Sequence, residues 1–245
     1  QVQSMGIHLL RQITSGSPAA KAIVARSGGV EAIVQAMRHH ASDERLLSAA
    51  LQAADEIQGV ALLLNAVESL RGSAPGTRAA FWAFRQASKA RWLEVTGLCP
   101  QRVLSVLLAS AEAHREDAQL LSWGLELVSD LMMESAENRG AFAELGGWPW
   151  MLQVMEEHAE ESRVQHFGCK LLTSLTAGGA FGEACADRAM LVLRRALQEH
   201  DDDSVLYWAL WAAQQMNGAR AIIEPLRKGC FKRPSSMVAA LKSLA

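Results

Sequence analysis

Val164–Leu175 reads VQHFGCKLLTSL, and Val2–Ile13 reads VQSMGIHLLRQI. Each has Gly in the fifth place, Leu-Leu in the eighth and ninth, and an apolar residue in the first and twelfth. Apolar residues at these intervals fall on one face of an α-helix, and a strand would need strict alternation. The same frame holds for Leu46–Ile57 (LLSAALQAADEI), Leu120–Leu131 (LLSWGLELVSDL) and Val205–Met216 (VLYWALWAAQQM), with a weaker copy over Gly76–Ala87. The six starts, 2, 46, 76, 120, 164 and 205, are separated by 44, 30, 44, 44 and 41 residues, a period within the range of helical repeat proteins.

Working outward from these segments, a second element precedes the frame. It is clearest at Gly28-Gly29 followed by VEAIVQAM and at Gly146-Gly147 followed by WPWMLQVM, and each copy ends three residues later in His, at His40 and His158. Paired glycines suit a tight corner, because glycine tolerates positive φ. Short apolar helices are predicted upstream, over 19–26 and 137–145. Asp43, Glu161 and Asp203 stand in the turn before the third helix, where acidic side chains cap free N–H groups and complement the helix dipole. The unit is therefore a short helix, a glycine corner, a second helix, a polar loop and a long third helix.

This three-helix unit, with its Gly-Gly corner and third-helix frame, resembles the armadillo repeats of the armadillo/beta-catenin superfamily. HEAT repeats, with two helices, account less well for the 44-residue units. The resemblance implies an all-α fold, an armadillo-like right-handed superhelical solenoid of three-helix repeats. It covers 1–245 as a single array: a partial unit 1–15, units 16–58, 59–88, 89–133, 134–177 and 178–217, and a partial unit 218–245. The unit 59–88 is short and is expected to have lost its first helix.

Composition agrees with helices. The 245 residues include 41 Ala and 32 Leu against 27 Val, Ile and Thr together. Half the residues are apolar and a fifth charged, enough for a large core and too apolar for disorder. The net charge of −2 provides no broad cationic field for nucleic acid, and no apolar run is long enough for membrane insertion. Cysteines at 99, 169, 185 and 230 form neither a C-x-x-C pair nor a disulfide framework, which predicts a reducing, intracellular home. A cytoplasmic place is expected rather than a nuclear one. The chain opens on Gln1 without a signal-peptide pattern, which reads as a piece of a longer protein.

Most conspicuous side chains are explained by packing. The small fifth residues Gly6, Ala50, Ala80, Gly124, Gly168 and Ala209 are expected to let helices approach closely. Met37, Met133, Met155 and Met216 fall at core spacing, Cys169 and Cys185 read as small hydrophobes, and His40, His158 and His200 as helix C-caps. Seven histidines without metal-ligand spacing, and the absence of any nucleophile-base set, phosphate loop or dinucleotide motif, predict no metal, no cofactor and no enzymatic activity.

In armadillo proteins the third helices line a concave groove that holds an extended peptide, and members resembling importin alpha carry Trp and Asn at the seventh and eleventh frame positions. Here those positions are His8 with Gln12, Gln52 with Glu56, Trp82 with Gln86, Glu126 with Asp130, Lys170 with Ser174, and Trp211 with Gln215. The Asn ladder is missing, which argues against a nuclear import receptor, although Gln offers the same amide chemistry. With Tyr207 from the third position, the expected binding residues are Trp82, Gln86, Glu126, Asp130, Lys170, Tyr207, Trp211 and Gln215. A secondary basic patch comprises Arg227, Lys228, Lys232 and Arg233. The expected function is a non-catalytic interaction scaffold or adaptor whose partner segment brings Lys or Arg opposite Glu126 and Asp130 and an apolar anchor to Trp82 or Trp211. The alternative is a regulatory, autoinhibitory or ligand-sensing armadillo domain of a larger signalling protein such as a kinase or GTPase.

Overall fold

The structure is a computed structural model and describes residues 2–14, 17–40, 43, 45, 46, 49, 50, 53, 60–88, 99–176 and 183–216. Among the described residues all regular structure is helical, with no strand. The helices are α1 (Val2–Thr14), α2 (Pro18–Arg26), α3 (Gly29–His39), α4 (Val60–Leu70), α5 (Ala74–Ser88), α6 (Pro100–Glu112), α7 (Ala118–Glu134), α8 (Ala136–Glu144), α9 (Gly147–Glu157), α10 (Ser162–Thr176), α11 (Glu183–Glu199) and α12 (Asp203–Gln215). Residues 45, 46, 49, 50 and 53 are helical as well. The chain divides into two compact units, 1–127 and 128–245, with the division inside α7.

Five of the six frame segments coincide with α1, α5, α7, α10 and α12, and the described helical residues 46, 49, 50 and 53 fall in the sixth. The unit 134–177 has all three expected helices, α8, α9 and α10. In 59–88 the described helices are α4 and α5. The partial unit 218–245 and the Gly178-Gly179 junction lie outside the described residues.

Local chemistry accounts for the boundaries. Ser17 caps α2 by accepting from the Ala20 N–H, and Pro18 opens the helix where no N–H is needed. Ser135 caps α8 through the Glu137 N–H. Both glycine corners are left-handed at the first glycine, with φ of 78° at Gly28 and 71° at Gly146. The second glycine serves close packing: a Cβ on Gly29 would stand 2.8 Å from the Val24 carbonyl oxygen, and one on Gly147 would enter the Phe142 ring. Asp43 caps the next third helix through the N–H groups of Arg45 and Leu46. Before α12 the cap is Asp202, which accepts from the Ser204 N–H, and Asp203 lies in the first turn instead.

Within each unit, tertiary polar contacts fall about one repeat apart. Arg78 pairs with Asp117 and Arg85 with Glu126 in the first unit; Lys170 pairs with Asp130, and the His200 Nε2 donates to the Ala159 carbonyl at 2.7 Å, in the second. Neighbouring helices stack: α3 on α4 and α4 on α6, and separately α9 on α11 and α10 on α12. The packing is helical and repeat-like. Side chains at the second frame position tie the third helix to the end of the second: Thr77 donates to the Leu70 carbonyl, and Gln165 donates to those of Met155 and His158.

The small fifth position is buried at Ala50, Ala80, Gly124, Gly168 and Ala209. Gly6 departs from the expectation, being exposed with nothing within 4 Å of an added Cβ. Met37 and Met155 are core, Met216 is half-buried, and Met133 is exposed because its neighbour Met132 takes the inward position. The predicted histidine caps act through the backbone: the N–H groups of His40, His158 and His200 bond the carbonyls of Ala36, Val154 and Ala196.

Candidate functional site

The expected binding positions lie on third helices, where residues four apart share a face. In the first unit, Trp82 on α5 is half-buried and Glu126 on α7 is buried. Arg85, one turn from Trp82, donates from Nε to the Glu126 Oε1 at 2.7 Å. The second oxygen, Oε2, is buried without a hydrogen-bond partner among the described residues. The backbone of Gln86 is helical, and its side chain is outside the described residues, as is the whole patch Arg227, Lys228, Lys232 and Arg233.

In the second unit, Lys170 on α10 reaches back to the Asp130 Oδ1 at 2.8 Å. One rule covers both units: the tenth or eleventh residue of one third helix meets the seventh of the next. Glu126 and Asp130 were expected to face a partner's cation. Each already holds a cation of its own chain, Arg85 or Lys170. Arg85 was not among the expected site residues; opposite charges at positions ten or eleven and seven of consecutive frames were the signal that could have found it.

The rest of the second unit's third-helix face is aromatic. Tyr207, Trp208 and Trp211 follow each other on α12, with Trp208 and Trp211 stacked at 6.0 Å between ring centroids. Tyr207 meets both edge-on, at 5.2 Å and 5.4 Å. Tyr207 is 37% exposed, Trp208 and Trp211 are half-buried, and Gln215 is exposed one turn on. Trp208, unremarked in the expected site, completes the cluster, and its carbonyl accepts from the Thr173 hydroxyl of α10.

His166 occupies the same frame position on α10 as Tyr207 on α12. Its ring packs edge-on against Phe167 at 4.6 Å, and its Nδ1 is buried without a hydrogen-bond partner among the described residues. Burial holds its pKa below the usual histidine value, with Lys170 and Arg163 acting the same way and Asp202 opposing. Cys169 is fully buried and its thiol is pushed far up by burial, so it is held protonated. On the second unit's other elements Arg188 grips Glu156 with two hydrogen bonds, which lowers the carboxyl pKa. Among the described residues no group of three or more His, Cys, Asp or Glu could hold a metal, and no helix is long and apolar enough to cross a membrane.

Three solved structures to which the chain is similar are crystal structures of engineered proteins from the Northeast Structural Genomics Consortium. The first has a TM-score of 0.55 at 19% identity, over 88% of this chain and 90% of that one. The second has a TM-score of 0.47 at 14% identity over 87% and 91%, and the third 0.46 at 16% over 97% and 72%. The likeness to the first is one of helical fold. No protein-family model and no curated protein matches the chain.

Proposed function

We propose that the chain is an armadillo-type solenoid, a non-catalytic interaction module that binds a segment of a partner protein across its third helices. The aromatic cluster Tyr207, Trp208 and Trp211 carries this reading. Three large rings in mutual contact, left partly open on one helix face, form the kind of patch in which a binding hot spot concentrates. Polar groups flank it on the same expected face: Gln215 on α12, and the Lys170–Asp130 pair on the preceding third helix.

An apolar or aromatic side chain of the partner provides the anchor against Trp211 and Tyr207. A basic side chain of the partner comes second, because at Asp130 it competes with Lys170 and at Glu126 with Arg85. Exposed Gln215 offers an amide donor and acceptor to partner backbone.

The test is Trp211→Ala in a pull-down followed by calorimetry on the captured partner. Binding should weaken by at least about 2 kcal/mol, the usual cost of truncating a tryptophan hot spot, with helix content retained. Normal binding by a variant that melts several degrees earlier would make the cluster a packing feature and remove this assignment.

A further inference from the structure

Within each unit a third helix meets the one before it, α7 on α5 in the first and α12 on α10 in the second. In the first unit, Arg78 pairs with Asp117, Phe81 lies 3.2 Å from the position of a Cβ on Gly124, and Arg85 pairs with Glu126, so both numbers rise together. In the second unit Thr173 of α10 bonds the carbonyl of Trp208 on α12. Frame position five thus faces the preceding helix, and the backbone at position four touches it. Positions eight and twelve continue the stripe one and two turns on. Later in the chain these are buried, at Leu171 and Leu175 in α10 and at Ala212 in α12.

The same stripe on α1 is open. Met5, Leu9 and Ile13, at positions four, eight and twelve, are 71%, 58% and 49% exposed, and Gly6 between them has nothing within 4 Å of an added Cβ. A second helix repeats the observation. Alignment of the two glycine corners matches Ile23 of α2 with Ala141 of α8; Ile23 is 58% exposed and Ala141 is 2%. The open stripe is uncharged and follows the four-residue ridge by which helices interlock.

We propose that this face takes an α-helix of the same repeat type, packed parallel to α1 on the side away from the following repeat. Its large apolar side chain lodges over Gly6 as Phe81 does over Gly124. The inference rests on the frame shared by the third helices and not on the aromatic cluster.

Two experiments test it. In the chain itself, Met5→Glu with Leu9→Glu should leave the melting temperature within about 2 °C of the parent, since these side chains have no cover to lose. A larger fall overturns the openness on which the proposal stands. In an extended chain, a copy of residues 74–119 joined directly ahead of Val2 puts α5 before α1 at the 44-residue spacing that separates the frames at 76 and 120. Alkylation of Leu9→Cys by iodoacetamide, followed site by site by mass spectrometry, should slow on the order of ten-fold relative to the unextended chain. Gly6→Leu, harmless without the extension, should restore the fast rate with it.

Unchanged alkylation in the extended chain, or added residues that stay non-helical, overturns the proposal. So does protection of the unextended chain that grows with protein concentration, which would give the face to a second copy. Protection by phosphatidylcholine vesicles would give it to a lipid surface and overturn the proposal likewise.

Discussion

Gly168 sits where an added Cβ would stand 2.5 Å from the Met155 sulfur and 2.7 Å from its Cγ. The methionine can swing aside from one carbon, but it cannot make room for four in a filled core. Gly168→Leu should therefore lose about 1–3 kcal/mol in urea unfolding. Gly147→Ala should lose stability too, because the Phe142 ring cannot yield as a thioether does. A Gly168→Leu variant as stable as the parent would mean that the fifth position is not a close approach. His166 sets a pH dependence. Its pKa is lowered in the folded state, so its neutral form is the one folding favours. It costs nothing above the unfolded value of about 6.5 and penalises folding as pH falls below it. Glu156, held by Arg188, and Asp202, held by Ser204, have lowered carboxyl pKa values, so each keeps its contribution until pH falls through that depressed value, below the group's ordinary one. Between pH 7 and pH 5 the melting temperature should drop less for His166→Gln than for the parent, and parallel curves would exclude this role.

At the scale of elements, consecutive third helices are tied by charges placed one repeat apart. The Lys170–Asp130 pair is partly open to solvent, with side-chain exposures of 19% and 39%, which keeps its net worth to about 0.2–1 kcal/mol. Lys170→Asp or Asp130→Lys alone should destabilise by bringing like charges together. The double exchange should recover most of the loss, and a double-mutant cycle measures the coupling. A cycle with no coupling would reduce the pair to incidental surface charge. The corner elements were legible from the primary structure, since Gly28 and Gly146 act within a few residues of themselves. Asn138 was not. It is buried and donates from Nδ2 to the Leu131 carbonyl at 2.8 Å, closing the end of α7, and only the path of the chain brings those two together.

Over the whole molecule, stability in a repeat array is a sum of local terms and nearest-neighbour interfaces. Deleting 178–245 removes α11 and α12 and uncovers the faces of α9 and α10 that they pack against. The shortened chain should remain helical and melt cooperatively at a lower temperature, followed by circular dichroism. Loss of all helical structure would mean that 1–177 depends on the deleted residues for a common core.

The primary structure by itself determined the helical class, the third-helix frame and the glycine corners. Helical period, capping and left-handed φ are decided by residues within one or two turns, so Val2–Ile13 reappears in α1 (Val2–Thr14) and Leu120–Leu131 inside α7 (Ala118–Glu134). Tertiary structure decided which of the expected site residues are available. Glu126 and Asp130 read as open acids in isolation, yet each is claimed by a cation about forty residues away in sequence and one helix away in space. The exposure of Tyr207, the stacking of Trp208 on Trp211 and the open stripe of α1 are of the same kind. Charge partners and solvent exposure depend on what the neighbouring helix presents, and no local pattern contains that.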